Sequence, residues 1–192
     1  MQVQVEKPRK EQQLKIGIVG PEELKWTEEK KAEAKMKINQ LLNSLDCDIN
    51  PEDKNFMYKG IVLVSGHCPK GGVDIWAEEI ADKLRIQKEI YFAPAMRWED
   101  KFVEGIYPDI PSEFLKGYRS RNIQIAKASD VVYCIVPKVK LPVGFDITKP
   151  ETMSKKFACY HCHKVGHPTN GGCWTMIWAK KLGKETHLVV IE

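Results

Sequence analysis

Eighteen residues, "ACYHCHKVGHPTNGGCWT" (158 to 175), hold three cysteines and three histidines. Cys159 and Cys162 form a CxxC pair, whose spacing lets two thiolates from one turn reach the same ion. His167 and Cys173 are the best third and fourth ligands, with His161 and His163 as substitutes. Thiolates and imidazole suit tetrahedral zinc, and the remaining cysteines lie singly along the chain, as in a reducing compartment rather than a disulfide framework. The spacing therefore predicts a structural zinc with no open coordination position.

The second half of the same stretch carries different chemistry. "NGGCWT" (170 to 175) places Gly171, Gly172 and Thr175 where a helix begins, and free amide groups at a helix start attract phosphate. A second glycine turn, "SGHCPKGGVD" (65 to 74), joins an apolar run to an amphipathic one. Its Ser65, Gly66, His67, Gly71, Gly72 and Asp74 are candidate ligand contacts, as is Gly20 after the run "LKIGIVG". Arg119, Arg121 and Asn122 complete the set, since an arginine fork clamps phosphate or carboxylate. Of the acids, Asp74 reads as a helix cap and Glu78 as an exposed side chain.

These groups need elements to hold them. "LKIGIVG" (14 to 20), "GIVLVSG" (60 to 66), "EIYFA" (89 to 93), "DVVYCIV" (130 to 136) and "HLVVI" (187 to 191) are apolar runs of strand length. Between them lie helical patterns: one after Thr27 with Ala34, Ile38, Leu41, Leu42 and Leu45 on one face, and one from about Val73 to Ile86 with Ala77, Ile80, Ala81 and Leu84 inward. A third opens at Ser112 and runs Leu115, Tyr118, Asn122, Ile125 and Ala126 along one stripe, and a fourth starts near Gly172. Strands alternating with helices predict an α/β fold, a Rossmann-like three-layer sandwich around a mainly parallel five-stranded sheet. Ligands of such sheets bind beyond the carboxyl ends of the strands, where the candidate residues fall.

At 192 residues the chain suits one domain, from 14 to 192, after a polar arm at 1 to 13. An insertion at about 137 to 173 carries the Cys/His cluster and is too long for an ordinary connection. The net charge of +4 is concentrated there: residues 137 to 171 hold six lysines against two acids. No apolar run approaches the ~20 residues that span a bilayer, so the expectation is a cytoplasmic protein without membrane attachment.

Three segments, "VSGHCPKGGVDIWAEEIA", "GYRSRNIQIAKASDVVYCIV" and "TNGGCWTMIWAKKLGKETHLVVI", together resemble the SLOG superfamily of Rossmann-like proteins, with its DprA-like and LOG-type branches. "YFAPAMRW" (91 to 98) is similar to a segment of the YspA-like branch. The resemblance implies a nucleotide or nucleotide-derived ligand, bound by a sensor or by an N-glycosidic phosphoribohydrolase. It places Arg121, with Asp74, nearest the chemistry, and relatives suggest a homodimer by analogy. Trp178 occupies the position of the LOG catalytic glutamate, and indole can neither stabilise positive charge as a carboxylate does nor activate water.

The cluster itself resembles the retroviral zinc knuckle, including aromatic Tyr160, although five residues rather than four separate His167 from Cys173. Such knuckles bind single-stranded nucleic acid, and Lys155, Lys156 and Lys164 would meet its backbone. "CYHC" is also similar to the thioredoxin-like CxHC, but that family needs another strand and helix order around it.

Overall fold

The structure is a computed structural model that describes residues 13–46, 60–93, 117–145 and 154–192. Helix α1 (Glu28–Asp46), α2 (Val73–Leu84), α3 (Tyr118–Ala128) and α4 (Gly171–Lys181) alternate with strands β1 (Lys15–Val19), β2 (Val62–Ser65), β3 (Gln87–Ile90), β4 (Val131–Pro137) and β7 (Glu185–Ile191). A short hairpin, β5 (Ala158–Cys159) with β6 (Lys164–Val165), lies apart from these. The five long strands form one sheet in the order β3-β2-β1-β4-β7, and every pair in it is parallel.

Strict alternation in the central strands creates two cores. Ile16 and Ile18 of β1, Leu63 of β2 and Val131 and Ile135 of β4 pack with Ala34, Ile38 and Leu42 of α1 and Val73, Trp76, Ala77 and Ile80 of α2. Val19, Val64, Val132, Cys134 and Val136 point to the opposite face, against Ile123 and Ala126 of α3 and Met176, Trp178 and Ala179 of α4. A strand that is apolar at successive positions must be covered on both faces, which is why these runs are nearly continuous. The sandwich read from the sequence is the one observed. Among the described residues no helix is long and apolar enough to cross a membrane.

Thr27 caps α1, its Oγ1 accepting from the Lys30 amide at 3.3 Å. The third strand needs correction: it pairs over Gln87 to Ile90, beginning two residues before the run "EIYFA" and ending within it. It is an edge strand, and an edge admits the polar Gln87 and Lys88 that disguise it in sequence. The hairpin β5–β6 was not anticipated within the insertion. The helix expected to open at Ser112 is corrected: α3 begins at Tyr118 after an extended Gly117. Ser112 and Leu115 themselves and the polar arm up to residue 12 lie outside the described residues, as does most of "YFAPAMRW".

Candidate functional site

Strands β1 and β4 are adjacent at the centre of the sheet, yet the chain leaves β1 towards β2 and β4 towards β7. This reversal opens a crevice beyond their carboxyl ends, and the structure has a cleft of about 350 Å³ there. Gly20, Asp74, Arg121, Asn122, Gly172 and Thr175 are among its walls, and Gly171 also lines it.

Two glycines let the crevice form. A Cβ on Gly172 would lie 2.6 Å from the Gly20 nitrogen and 2.7 Å from its Cα, so the loop after β1 and the first turn of α4 touch through backbone alone. Asn170 caps α4, with Oδ1 accepting from the Cys173 amide at 3.0 Å, and Thr175 donates to the Gly171 carbonyl at 3.2 Å. The amides of Gly171 and Gly172 have no partner among the described residues, leaving donors at the positive end of the helix. Gly172→Ala should therefore destabilise by about 1–3 kcal/mol, as overpacking does, although alanine is ordinarily the better helix former. Urea unfolding measures this, and a stabilised variant would contradict the close approach.

Arg121 is the hub of the cleft. It is buried, and its Nε donates to Asn122 Oδ1 at 2.8 Å, an Nη1 hydrogen goes to the Gly66 carbonyl, and Nη1 lies 3.8 Å from Asp74 Oδ2. Asn122 in turn donates to the Gly171 carbonyl at 3.2 Å, so one side-chain pair on α3 ties the β2 loop, α2 and α4 together. None of the hydrogen bonds among the described residues uses Nη2 of Arg121.

Asp74 shows the cost of this placement. Burial pushes its carboxyl up, the Arg121 charge opposes that, Glu78 adds to it and His67 opposes it, and the result is about 6. A carboxyl raised above its unfolded value binds more protons in the folded state, so its contribution to stability is complete below pH 4 and is lost as pH rises through 6. The loss is about 3 kcal/mol at most. Asp74→Asn should flatten stability between pH 4 and 7 in urea titrations, and an unchanged slope would show that Asp74 does not titrate there.

The β2 turn behaves differently from the expectation of a phosphate cradle. The guanidinium of Arg121 covers Gly66, where any Cβ would strike it. Gly71 and Gly72 take φ of +72° and +95°, conformations that favour glycine, and pack on Glu23, Pro21 and Glu22. Ser65, Gly66, His67, Gly71 and Gly72 are not among the lining residues, whereas Cys68 and Lys70 of the same turn are. Glu78 is buried rather than exposed: Ser65 Oγ donates to Oε1 at 2.6 Å and His67 Nδ1 is 2.7 Å from Oε2. Glu78 lies four positions after Asp74, one helical turn on, so both carboxylates share the α2 face turned to the β2 loop, where Ser65, His67 and the Cys68 backbone meet them. Asp74 itself does not cap α2, whose N-cap is Gly72 without a side-chain bond. Arg119 lies over the ring of Trp174 at 4.5 Å, away from the lining, and buried Trp178 packs against Trp174.

Beside the cleft, Cys159, Cys162, His167 and Cys173 bring one ligand atom each to within 4.8 Å of one another. Cys159 ends β5, the turn of the hairpin supplies Cys162, and Cys173 lies in the first turn of α4. His163 N donates to Cys159 O at 2.8 Å, and positive φ at His163 and Gly166 shapes the return. His167 Nε2 is 3.2 Å from Cys162 Sγ while Nδ1 is 3.1 Å from the Pro168 carbonyl. The carbonyl needs a donor, which fixes the proton on Nδ1 and leaves the Nε2 lone pair for an ion. His161 is excluded from the set by its packing between Tyr160 and Trp174, at ring distances of 4.0 and 5.5 Å.

Crowding acts on the thiols unequally. Hydrogen bonds from Cys162 and Cys173 pull Cys159 far below the usual thiol range, whereas Cys162 is pushed up by its bond with Cys159 and Cys173 by its bond with Cys134, 3.7 Å away. Three sulfurs and one imidazole, without a carboxylate, match a soft or borderline divalent cation, which would let all three ionise. The four residues could hold such an ion.

The two features share a wall. Tyr160 and His161, inside the CxxC, line the cleft together with Thr169 and Asn170. Lys25 lines it too, donating to the Thr169 carbonyl at 3.0 Å. Of these, Tyr160 stood out in sequence only as a knuckle aromatic, and Lys25 carried no signal because its contact is 144 residues away in the chain.

No family model matches the sequence, and no curated protein matches it. Among solved structures, the chain is similar to the structural-genomics target TM1055, with a TM-score of 0.48 and 14% identity over 90% of this chain and 72% of that one. It is also similar to DNA processing protein A (DprA) from Streptococcus pneumoniae, with a TM-score of 0.46 and 13% identity, over 92% of this chain and half the length of DprA.

Proposed function

We propose that this protein binds a nucleotide or nucleotide derivative in the cleft at the carboxyl ends of β1 and β4, beside a structural zinc site. One observation carries the reading: the buried Arg121 lines the same cleft as the uncapped amides of Gly171 and Gly172. A fork of donors and a helix start are two anion-binding devices, and their convergence suits a phosphate. The resemblance of the sequence segments to SLOG proteins agrees with such a ligand.

Zinc would be held by Cys159, Cys162, His167 and Cys173 as a cross-link, filling all four positions and fastening the Tyr160–His161 wall to the start of α4. The protein then acts as a sensor of its ligand, or as a hydrolase of the N-glycosidic bond in which Asp74 is the acid beside the ligand. Trp178, being buried and outside the lining, takes no part.

A second reading, binding of single-stranded nucleic acid, is favoured by exposed Tyr160 with Lys155 Nζ 5.4 Å from its ring centroid. Denaturing the purified protein and identifying released small molecules by mass spectrometry, with a thermal-shift panel of nucleotides, separates the two. A co-purifying or stabilising nucleotide supports the first. No nucleotide response together with tight, salt-dependent oligonucleotide binding overturns it.

A further inference from the structure

A second hollow, of about 540 Å³, adjoins the cleft and is built largely on the metal-bearing loop. Lys25, Tyr160 and Thr169 line both spaces, so the two are compartments of one depression. The chemistry of the second is distinct: Lys25, Lys155 and Lys156 supply its charge, Leu24, Val139 and Pro168 its apolar surface, and among the described residues no carboxylate lines it. Leu24 is 91% and Tyr160 48% exposed, an unusual presentation of apolar surface beside three ammonium groups.

We propose that this compartment receives the second nucleotide of a dinucleotide ligand, its phosphate on Lys155 and Lys156 and its base against Tyr160. The inference rests on the reading that the first compartment takes a nucleotide. Bases stack on tyrosine, and lysines meet phosphate as point charges, so a hollow combining both fits a nucleotide better than it fits an apolar or a purely anionic ligand. Lys155 over the Tyr160 ring brings a phosphate-binding group within a nucleotide's length of the stacking face. Lys25, lining both compartments, stands where a linking phosphate crosses from one to the other.

Size and extent favour a dinucleotide over a longer strand. Each compartment is within the range of small-molecule sites, roughly 300–1,000 Å³. A nucleic-acid track needs successive aromatic platforms along a basic groove, whereas among the described residues Tyr160 is the one aromatic ring lining this hollow. The compartment belongs to the loop that carries the Cys159, Cys162, His167 and Cys173 cluster, so an ion held there would also set the distance between the two halves of the ligand.

Titration calorimetry of the full chain with the four 5′-mononucleotides, the 5′-phosphorylated homodinucleotides and homo-oligomers of about a dozen residues tests this. The expected result is one dinucleotide binding about tenfold or more tighter than its mononucleotide. Lys155→Ala/Lys156→Ala should erase that gain and leave mononucleotide affinity unchanged; both side chains are exposed, so the fold tolerates the change. Equal affinity for mono- and dinucleotide, or equal weakening of both by the double variant, overturns the second compartment alone. Progressively tighter binding of the longer oligomers assigns the surface to single-stranded nucleic acid and also overturns it. Binding of none of these probes overturns the nucleotide reading and this inference with it.

Discussion

Cys159→Ser/Cys162→Ser protein should purify without stoichiometric metal by elemental analysis and melt roughly 10 °C below wild type, as a loss of about 3 kcal/mol implies for a domain of this size. Metal sites in small zinc modules are worth far more, because those modules have no other core. Here both faces of the sheet carry their own apolar clusters, so removal of the ion should loosen the 154–170 loop and leave the sandwich folded. Among the described residues the hydrogen bonds that also fasten the loop include Val139 N to Gly166 O at 2.7 Å and Lys25 to Thr169 O at 3.0 Å, with the rings of Phe157 on Phe145 and His161 on Trp174 beside them. Since Tyr160 and His161 form part of the cleft wall, ligand affinity should fall in the same variant. Cys134→Ser is the control: its sulfur lies 3.7 Å from that of Cys173 but outside the set of four, and the variant should retain its metal. Full metal content in the double serine variant would refute the ligand assignment.

Arg121→Ala should weaken binding of a phosphate-bearing ligand about a hundredfold, read by calorimetry. Charged hydrogen bonds contribute about 1.5–3 kcal/mol each, and this arginine is the buried cation of the lining. Part of the effect has another source, because the variant strips Asp74 of the charge 3.8 Å away and the Gly66 carbonyl of its donor. Arg121→Ala/Asp74→Ala separates these contributions. If the double variant recovers stability yet binds more weakly than Asp74→Ala alone, Arg121 acts on the ligand; affinity equal to that of Asp74→Ala would make it a brace for the loops. Arg121→Lys should recover little, since an ammonium cannot reach Asn122, Gly66 and a ligand at once as the planar fork does.

Periodicity made the layers legible. Ala34, Ile38 and Leu42 at helical spacing, and the nearly continuous apolar runs of β1 and β4, lead directly to two helix layers on a parallel sheet, as observed. The metal cluster was legible because ligand chemistry and spacing are both local, and all four named residues meet. Polar residues whose partners are remote in sequence were misread: Glu78, taken for a surface acid, is buried because Ser65 and His67 satisfy both its oxygens. The edge strand β3 was displaced because an edge need not be apolar.

From the sequence by itself came the strand and helix order, the three cysteines that could hold a metal together with a histidine, and the glycines at the strand ends. These follow from near-neighbour chemistry: burial on one face, the bite of a CxxC, and the freedom of a residue without a side chain. Only the tertiary structure decided that His167 rather than His161 faces the cysteines, and that the Arg121 guanidinium covers Gly66 instead of leaving it to a ligand. It also decided that the CxxC turn walls the cleft opened by Gly20 and Gly172. The choice of histidine depends on how the loop folds over a few residues, whereas the other two depend on contacts between segments tens to more than a hundred residues apart, whose partners are set by how the strands order in the sheet, and no local pattern records that order.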